Sequence, residues 1–407
     1  MGTTDEERRR QARRQRRDGR SLVVTDPTLM VRTANERLVL VRDGKVVTGV
    51  PSHDIAHLAL HGPVTITGAA VARLLDRGVD ISLFTSAGRY RGSVSAAASK
   101  NVFLMLAQVD AWKRDEKRAA FARAVVASKL AGQRRVLARH ARDHGSEACG
   151  EAVARIDRIV EKLADEADVD AIRGFEGAGA AAYFGVFGEL LRGGWTFPGR
   201  VRRPATDPVN ALLGFGYTLA VGEVARHLVF AGFDPRVGLL HGLRYGRESL
   251  PLDLVEEFRG SMVDTFTLRL LNRGQLQVAD FDTDPGTLAV RMTADARRRY
   301  LDAWEEMLDR RGGRLPREAD DGADGDDDGA VERVGRGGEP PTRAGRGVSW
   351  RYRIERQVAR LRRFLMSDEP YRPLHAAAKC AKSHEIDSHR PPDEPQPRDT
   401  IDTSGED

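Results

Sequence analysis

The chain has 407 residues, and its 65 Lys and Arg against 60 Asp and Glu give a formal charge of +5. This length favours two domains, and a hydrophobic content of 41% is enough for folded cores. Two cysteines argue against a disulfide framework, and no apolar run reaches the roughly 18 residues that a membrane span needs. We therefore expect a cytoplasmic protein without a membrane segment, whose slight basic excess is compatible with a nucleic-acid partner.

The N-terminal part is predicted to be a small β-rich domain preceded by an arm. Residues 1–20 contain RRRQARRQRR with almost no apolar residue, which is typical of a disordered arm. From 21 to 94 the hydrophobic pattern has a period of two and is rich in β-branched residues. Asp43-Gly44 between two alternating runs predicts a two-residue hairpin, and Gly68 to Arg77 predicts one helix covering the sheet.

The rest of the chain is predicted to be mainly helical, so that the fold class is α+β. Apolar stripes at i, i+3 and i+4 predict helices, with a β-hairpin inserted around Asp284-Pro285-Gly286. The predicted helices include Glu116 to Arg142, Asp170 to Arg192, Pro208 to Phe230 and Leu252 to Leu271. The predicted segments are, in order, a linker (95–100), an α-helical domain (101–317), a disordered acidic and Gly-rich insertion (318–347), a basic helix of the same domain (348–374) and a disordered tail (375–407).

Three histidines, His53, His57 and His61, recur every four residues in the β-rich part. In or beside a strand, positions four apart share a face but lie too far apart to bind one ion. We therefore interpret them as packing or surface residues. The tail histidines, including His375, lack usable ligand spacing and are given no role.

A candidate metal site lies between Phe233 and Arg259. His241 stands in a Gly/Pro-broken loop, and Asp253 and Glu256 follow it three residues apart on a predicted helix, where they are neighbours on one face. Two carboxylates and one imidazole with open positions suit Mg²⁺ or Mn²⁺ better than structural zinc. Glu257 is expected to point toward Asp253's other flank or solvent.

A further ligand is offered by Glu176 in RGFEGAGAAAYFGVFGELL. Glycine weakens an isolated helix by about 1 kcal/mol per interior position relative to alanine, so a Gly/Ala-rich helix is best explained by close packing against another segment. We expect it to pack against the His241 loop and the Asp253 helix. Glu176 would then be a buried carboxylate that binds a cation, or else it faces water on a tightly packed helix.

Six blocks together carry a resemblance to a known family. They are EGAGAAAYF, RRPATDPVNALLGFGY, GFDPRVGLLHG, LPLDLVEEFR, LLNRGQL and EPYRPL. In this order they resemble the CRISPR-associated integrase of the adaptation module, the universal endonuclease of spacer acquisition, over about residues 21–317 and 348–374. One departure is Gly132, which stands where relatives often have Asn in a Lys-x-x-Asn-Gln block.

The resemblance implies a β-rich N-terminal domain and a helical catalytic domain. It implies a Mg²⁺ or Mn²⁺ site formed by Glu176, His241, Asp253 and Glu256, at which the 3′-hydroxyl of captured DNA attacks a phosphodiester at the edge of a CRISPR repeat. The partners implied are double-stranded DNA (prespacer and repeat), a second copy in a homodimer and a small ferredoxin-like protein of the adaptation complex. With His241 as a neutral ligand, activity should fall below about pH 6.

Several basic residues near the candidate site are predicted either to bind DNA phosphates or to form structural ion pairs. They are Arg173, Arg202, Arg203, Arg244, Arg247 and Arg259. Tyr183 and Tyr217 either lie near the metal or belong to the core. Two alternatives stay open for the function: a transposon-encoded integrase of the same fold, and a non-catalytic DNA-binding scaffold.

Overall fold

The computed structural model describes residues 20–86, 88–95, 102–201, 204–310, 348–367 and 369–375. The predicted arm except Arg20, the acidic insertion 318–347, and the predicted tail after His375 lie outside these residues. Within the described ranges, no helix is both long and apolar enough to cross a membrane.

Two four-stranded sheets form the N-terminal region, as the period-two pattern predicts. The first has the order β1-β5-β7-β8, with β1 (Arg20–Val24), β5 (Ile55–His61), β7 (Asp80–Phe84) and β8 (Tyr90–Val94). The second has the order β4-β3-β2-β6, with β2 (Met30–Ala34), β3 (Arg37–Arg42), β4 (Lys45–Pro51) and β6 (Thr65–Ile66). Strands β1, β5 and β7 run parallel to one another, and β8 is antiparallel to β7.

The predicted hairpin and the predicted covering helix are both confirmed. Asp43 and Gly44 have φ values of 48° and 77°, the left-handed backbone that a two-residue hairpin turn requires, and they join the antiparallel strands β3 and β4. Helix α1 (Gly68–Asp76) begins after Thr67, whose hydroxyl accepts a hydrogen bond from the backbone N–H of Ala70. Its buried Leu74 belongs to the same hydrophobic cluster as residues of both sheets.

The predicted histidine roles agree with the structure. His57 is buried, and its Nε2 lies 2.9 Å from the Ser82 hydroxyl. His61 stacks on the Phe84 ring with the centroids 4.6 Å apart. His53 is exposed, so the three residues serve packing or the surface and do not share an ion.

The helical region follows, and it contains the predicted hairpin. Its elements are α2 (Val102–Lys113), α3 (Asp115–His144), α4 (Glu147–Leu163), α5 (Val169–Gly185), α6 (Pro208–Ala231), α7 (Ser249–Val255), α8 (Thr265–Asn272), β9 (Phe281–Thr283), β10 (Val290–Met292), α9 (Ala294–Asp309) and α10 (Trp350–Met366). Strands β9 and β10 pair antiparallel. This β-then-helical order is the predicted α+β fold.

Two predicted helices are interrupted. The helix predicted from Asp170 to Arg192 ends at Gly185 and is followed by a 3₁₀ turn, Phe187–Leu190. The helix predicted from Leu252 to Leu271 is wrong as a continuous element: a 3₁₀ turn (Glu256–Phe258) and a π-helical segment (Arg259–Asp264) separate α7 from α8. Such π segments often occur at functional sites because they redirect side chains.

The amphipathic pattern of the basic helix α10 predicts that Tyr352, Ile354, Val358, Leu361 and Leu365 pack on the helical core, and all of them except Tyr352 do so. Ile354, Val358, Leu361 and Leu365 are buried, but Tyr352 is exposed. Arg351 anchors the start of the helix, because its guanidinium pairs with Glu305 on α9 and with Glu223 on α6.

Candidate metal centre

The close packing predicted for the Gly/Ala-rich helix α5 is present, but its partner is α3 and not the Asp253 helix. A Cβ atom at Gly179 would overlap the Leu130 side chain, so glycine is required for this approach. Lys129 precedes Leu130, and Glu176 lies about one turn before Gly179. The contact between the two helices therefore brings Lys129 to Glu176.

The ammonium group of Lys129 joins two carboxylates from distant parts of the chain. Its Nζ pairs with Glu176 Oε1 and lies 2.7 Å from Glu256 Oε2, and the lysine side chain is only 3% exposed. The other oxygen of Glu256 pairs with Arg259 at 2.9 Å. Glu176 and Glu256 thus converge on one cationic group, and that they share a metal ion stays a prediction.

The charges around Glu256 keep its carboxylate ionised. Burial favours the neutral acid, but Arg259 and Lys129, with a smaller effect of His241, outweigh burial and lower its pKa to about 2. His241 is linked to the same part of the chain, because its Nδ1 lies 2.7 Å from Oδ1 of Asp253, three residues before Glu256. Glu256 therefore carries a negative charge across the physiological pH range.

Asp253 is also buried, but it faces the His241 loop. Its Oδ2 accepts hydrogen bonds from the backbone N–H groups of Leu239 (2.6 Å) and Leu240 (3.0 Å). Its Oδ1 accepts from the His241 backbone N–H at 2.8 Å and lies 2.7 Å from His241 Nδ1. A Cβ at Gly238 would come within 2.8 Å of Asp253 Oδ2, so glycine keeps this approach open.

This arrangement orients the imidazole of His241. The Nδ1–H donates to the carboxylate of Asp253, which leaves the lone pair on Nε2 for another partner. The side chain of His241 is 31% exposed, so that partner can arrive from solvent. A carboxylate behind a histidine is the usual support of a histidine that binds a metal.

Among the described residues, no three His, Cys, Asp or Glu side chains are arranged so that they could hold a metal ion together. The residue types suit a divalent cation, because the carboxylates of Glu176 and Glu256 already meet on the positive charge of Lys129. Glu256 Oε2 is buried and makes no hydrogen bond, although it is ion-paired with Lys129. Carboxylate oxygens with one imidazole nitrogen are a donor set that Mg²⁺ and Mn²⁺ accept.

A second layer of buried polar groups supports Arg259. The guanidinium of Arg259 lies 4.7 Å from the centre of the Tyr217 ring, a cation–π contact. The Tyr217 hydroxyl donates to Asp264 Oδ1 at 2.5 Å. Burial raises the pKa of Asp264 to about 6, although hydrogen bonds from Tyr217 and Tyr183 oppose the rise. Both tyrosines are buried.

Comparisons with known proteins agree with this geometry. The family model described as CRISPR associated protein Cas1 matches residues 22–306. The chain belongs to the Cas1 family. It is 37% identical over 297 residues to a CRISPR-associated endonuclease Cas1 of Rhodospirillum rubrum, a match that covers 70% of this chain and 85% of that protein. The family is that of the CRISPR adaptation integrases, and the curated relatives are named endonucleases, so the chain is a CRISPR-associated nuclease.

Solved structures share the Cas1 fold at low sequence identity. A Cas6-RT-Cas1–Cas2 complex matches with a TM-score of 0.65 and 22% identity, covering 87% of this chain but only 35% of the matched chain. This chain therefore spans about a third of the length of that fusion protein. A casposase bound to its integration product matches with a TM-score of 0.66 and 20% identity, covering 86% of this chain and 91% of that one.

The arginines predicted near the Cas1 site divide into different environments. Arg259 is buried on Glu256, and Arg247 donates to Ser249 Oγ (3.1 Å) and to the Gly242 carbonyl, so both hold the site's own structure. Arg173 is partly exposed and pairs with Asp170. Arg244 is exposed and lines a surface pocket of about 570 Å³ beside the His241 loop. Arg202 and Arg203 lie outside the described residues.

Two residues of the Cas1 site were not predicted. The sequence prediction gives Lys129 no role of its own, although a lysine within the apolar run AVVASKLAG indicates a buried charge. Glu257 was expected near Asp253 or in solvent, and that expectation was wrong. Its carboxylate is buried and accepts hydrogen bonds from Tyr371 and from the backbone N–H of Leu374.

Proposed function

We propose that this Cas1-family chain is a divalent-metal-dependent DNA endonuclease and integrase of CRISPR adaptation. It would join the 3′-hydroxyl end of a captured DNA fragment to a phosphodiester at the edge of a CRISPR repeat. The observation that best supports the proposal is the convergence of Glu176 and Glu256 on the Lys129 ammonium group, together with the bond between His241 and Asp253, three residues before Glu256. Phosphodiester chemistry also agrees with the endonuclease names of the curated relatives.

Glu176, Glu256 and the Nε2 atom of His241 would hold Mg²⁺ or Mn²⁺. Such an ion, when bound, polarises a phosphoryl oxygen and lowers the pKa of an attacking hydroxyl. The predicted ligand role of Asp253 stays a prediction. Its four interactions with the residues 239–241 support a different role, in which it orients the histidine that binds the metal.

The residues of the chain would place charges around the transferred phosphate. In the transfer, the 3′ oxygen of the captured strand forms a bond to phosphorus, the bond to the 3′ oxygen of the repeat breaks, and the proton passes from the attacking to the leaving oxygen. No protein nucleophile is needed. Lys129 would supply positive charge beside the phosphate, and Arg259 would keep Glu256 ionised and in place.

The test of this function uses the full chain with Mn²⁺, a supercoiled plasmid that carries a CRISPR repeat, and a short labelled duplex. Joining of the label to the plasmid is expected in Mn²⁺, and no joining is expected in EDTA or with a duplex whose 3′ ends are dideoxy-terminated. Joining that persists in EDTA would refute metal dependence. A complete lack of joining, with the small adaptation partner added, would favour the DNA-binding scaffold.

The casposase match leaves the transposon-type integrase as an alternative, because a casposase and a CRISPR integrase share this fold. The two are separated by the target. Joining that concentrates at the repeat edges supports the CRISPR assignment. Equal joining into a plasmid that lacks the repeat supports the transposon-type integrase.

We also propose cytoplasmic action on double-stranded DNA as a homodimer, together with a small ferredoxin-like partner, the role for which Cas2 in the matched complex is a candidate. A surface on helix α2 supports a protein partner. Phe103 and Leu106 are 68% and 60% exposed, and Val102 and Met105 are exposed beside them. Neighbouring exposed apolar side chains on one helix are typical of a protein interface. We assign this surface to the homodimer.

The α2 assignment predicts that Phe103→Glu with Leu106→Glu weakens the dimer by more than about 100-fold, since each buried apolar side chain contributes about 1.5–3 kcal/mol. The mass is measured by light scattering after gel filtration across a concentration series. Glu151→Lys, an exposed change on α4, is the control and is expected to leave the mass unchanged. A double variant with the same mass as the wild type would remove α2 from the interface.

A further inference from the structure

The segment Tyr371–His375 lies against the buried side of the metal centre. Glu257, which is 1% exposed, accepts a hydrogen bond from the Tyr371 hydroxyl at 2.5 Å and another from the backbone N–H of Leu374. Gln357 on α10 donates to the same carboxylate at 3.2 Å. A buried carboxylate is thus satisfied mainly by a segment that lies beyond residues 22–306, the range that matches the Cas1 family model.

His375 connects this segment to two further elements of the site. Its backbone N–H donates to Ser128 Oγ on α3 at 3.0 Å. Its Nε2 lies 3.0 Å from Ser261 Oγ in the π-helical segment, and its Nδ1 lies 3.0 Å from an Arg135 guanidinium nitrogen on α3. The side chain is buried, so the sequence-based placement of His375 in an unstructured tail was wrong.

The imidazole of His375 also explains Gly132. A Cβ atom at position 132 would come within 3.2 Å of His375 Cδ2, tighter than nine in ten such contacts, so the imidazole would have to shift by a few tenths of an ångström. The ring therefore occupies the space that a side chain on this face of α3 would take. Gly132 and His375 are a matched pair.

The segment contacts residues that lie one or two positions from Lys129, Glu256 and Arg259, the three charged residues that meet at the site. Ser128 precedes Lys129, Glu257 follows Glu256, and Ser261 lies two residues after Arg259. Adjacent residues on a helix point about 100° apart. The segment therefore contacts one face of each of these elements, while the charged side chain lies on another face, toward the site. One short segment thus bridges α3 to the 3₁₀ turn and the π-helical segment.

We infer that Tyr371–His375 is a positioning element of the metal centre, which sets the distance between Lys129 on α3 and Glu256 on the 3₁₀ turn. His375 is its main positioning residue. The inference rests on the proposed function, because it concerns the binding of Mg²⁺ or Mn²⁺ at that same centre. It assigns a role to a segment that lies beyond the residues matched by the family model.

The test measures Mn²⁺ affinity by titration and, separately, the kcat and KM of DNA joining. His375→Ala is expected to raise the Mn²⁺ Kd by about 10–100-fold, the range seen when the support of a metal ligand is removed, and to lower kcat more than it raises KM. Gly132→Ala alone is expected to weaken Mn²⁺ binding as well, through overlap with the imidazole. The double variant Gly132→Ala/His375→Ala should bind Mn²⁺ no more weakly than His375→Ala, because the alanine has no imidazole left to displace.

Two further variants complete the experiment. Tyr371→Phe removes only the hydroxyl bond to Glu257, because the ring still packs on Phe121 with the centroids 4.9 Å apart. If His375→Ala does not fold, Tyr371→Phe decides, with an expected rise in Kd of about threefold or more. Glu369→Ala, an exposed change beside the segment, is the control and should match the wild type.

Wild-type Mn²⁺ affinity and kcat in a folded His375→Ala, or wild-type affinity in Tyr371→Phe where the first variant does not fold, would overturn the inference. A wild-type protein that binds no Mn²⁺ would instead overturn the proposed function. The two failures are therefore distinguishable.

Discussion

Glu256→Gln is expected to reduce metal-dependent DNA joining by more than about 100-fold, because even the loss of a group that only supports a metal ligand costs about 10–100-fold. The amide keeps nearly the size of the carboxylate but removes the charge that pairs with Lys129 and Arg259. Binding of a duplex should persist, since phosphate contacts come from basic residues distributed over the surface. Joining is measured with the labelled duplex, and duplex binding by fluorescence anisotropy at fixed salt.

Matched variants show whether the loss belongs to the metal. Glu176→Gln should lose joining to a similar extent, because its carboxylate meets the same ammonium group. Glu151→Gln, an exposed carboxylate on α4, should have no effect. A Glu256→Gln protein that joins DNA at the wild-type rate would show that the ion is held elsewhere.

Asp253→Ala is expected to lose both activity and stability. It leaves two buried backbone N–H groups, the part-buried N–H of His241 and the His241 imidazole without their acceptor. A cost of about 3 kcal/mol or more in the free energy of unfolding follows, which is a fall in Tm of about 6–12 °C for a domain of this size. Thermal unfolding followed by circular dichroism, in EDTA so that no metal contributes, measures the fall.

Glu176→Ala is the matched comparison for this effect. Its side chain is 24% exposed and forms one ion pair among the described residues, and Lys129 would still pair with Glu256, so the removal of Glu176 should change Tm far less while joining is still lost. Asp253→Asn should retain part of the stability and lose about 10–100-fold in joining, because the amide oxygen still accepts from the loop. If Asp253→Ala keeps the wild-type Tm in EDTA but binds Mn²⁺ as weakly as Glu256→Gln, then Asp253 is a ligand rather than the support of His241.

Local patterns were sufficient for most of the fold. The period-two pattern and the Asp43-Gly44 turn predicted the strands, since the two positive φ values are a property of the turn residues themselves. Helix stripes predicted α3, α6 and α10 to within a few residues. The sequence did not predict that α7 ends at Val255, because the spacing of hydrophobic residues hardly distinguishes a continuous α-helix from an α-helix followed by 3₁₀ and π-helical segments.

The candidate site was predictable in its members but not in their roles. His241, Glu176 and Glu256 were recognisable from residue type, spacing and family blocks. The spacing of Asp253 and Glu256 predicted a shared ion, yet one carboxylate faces the His241 loop and the other faces Lys129. Residues three apart are neighbours on a helix, but this spacing does not determine which other segment packs against each of them.

The sequence by itself determined that this chain has a β-rich region, a helical region and a set of acidic residues and a histidine suited to a divalent cation, because these follow from local periodicity and side-chain chemistry. Only the tertiary structure decided that Lys129 joins Glu176 to Glu256, that Asp253 supports His241, and that His375 fills the space at Gly132. The physical reason is that each of these contacts joins segments far apart in the chain, and which segments meet depends on close packing such as that of Gly179 on Leu130.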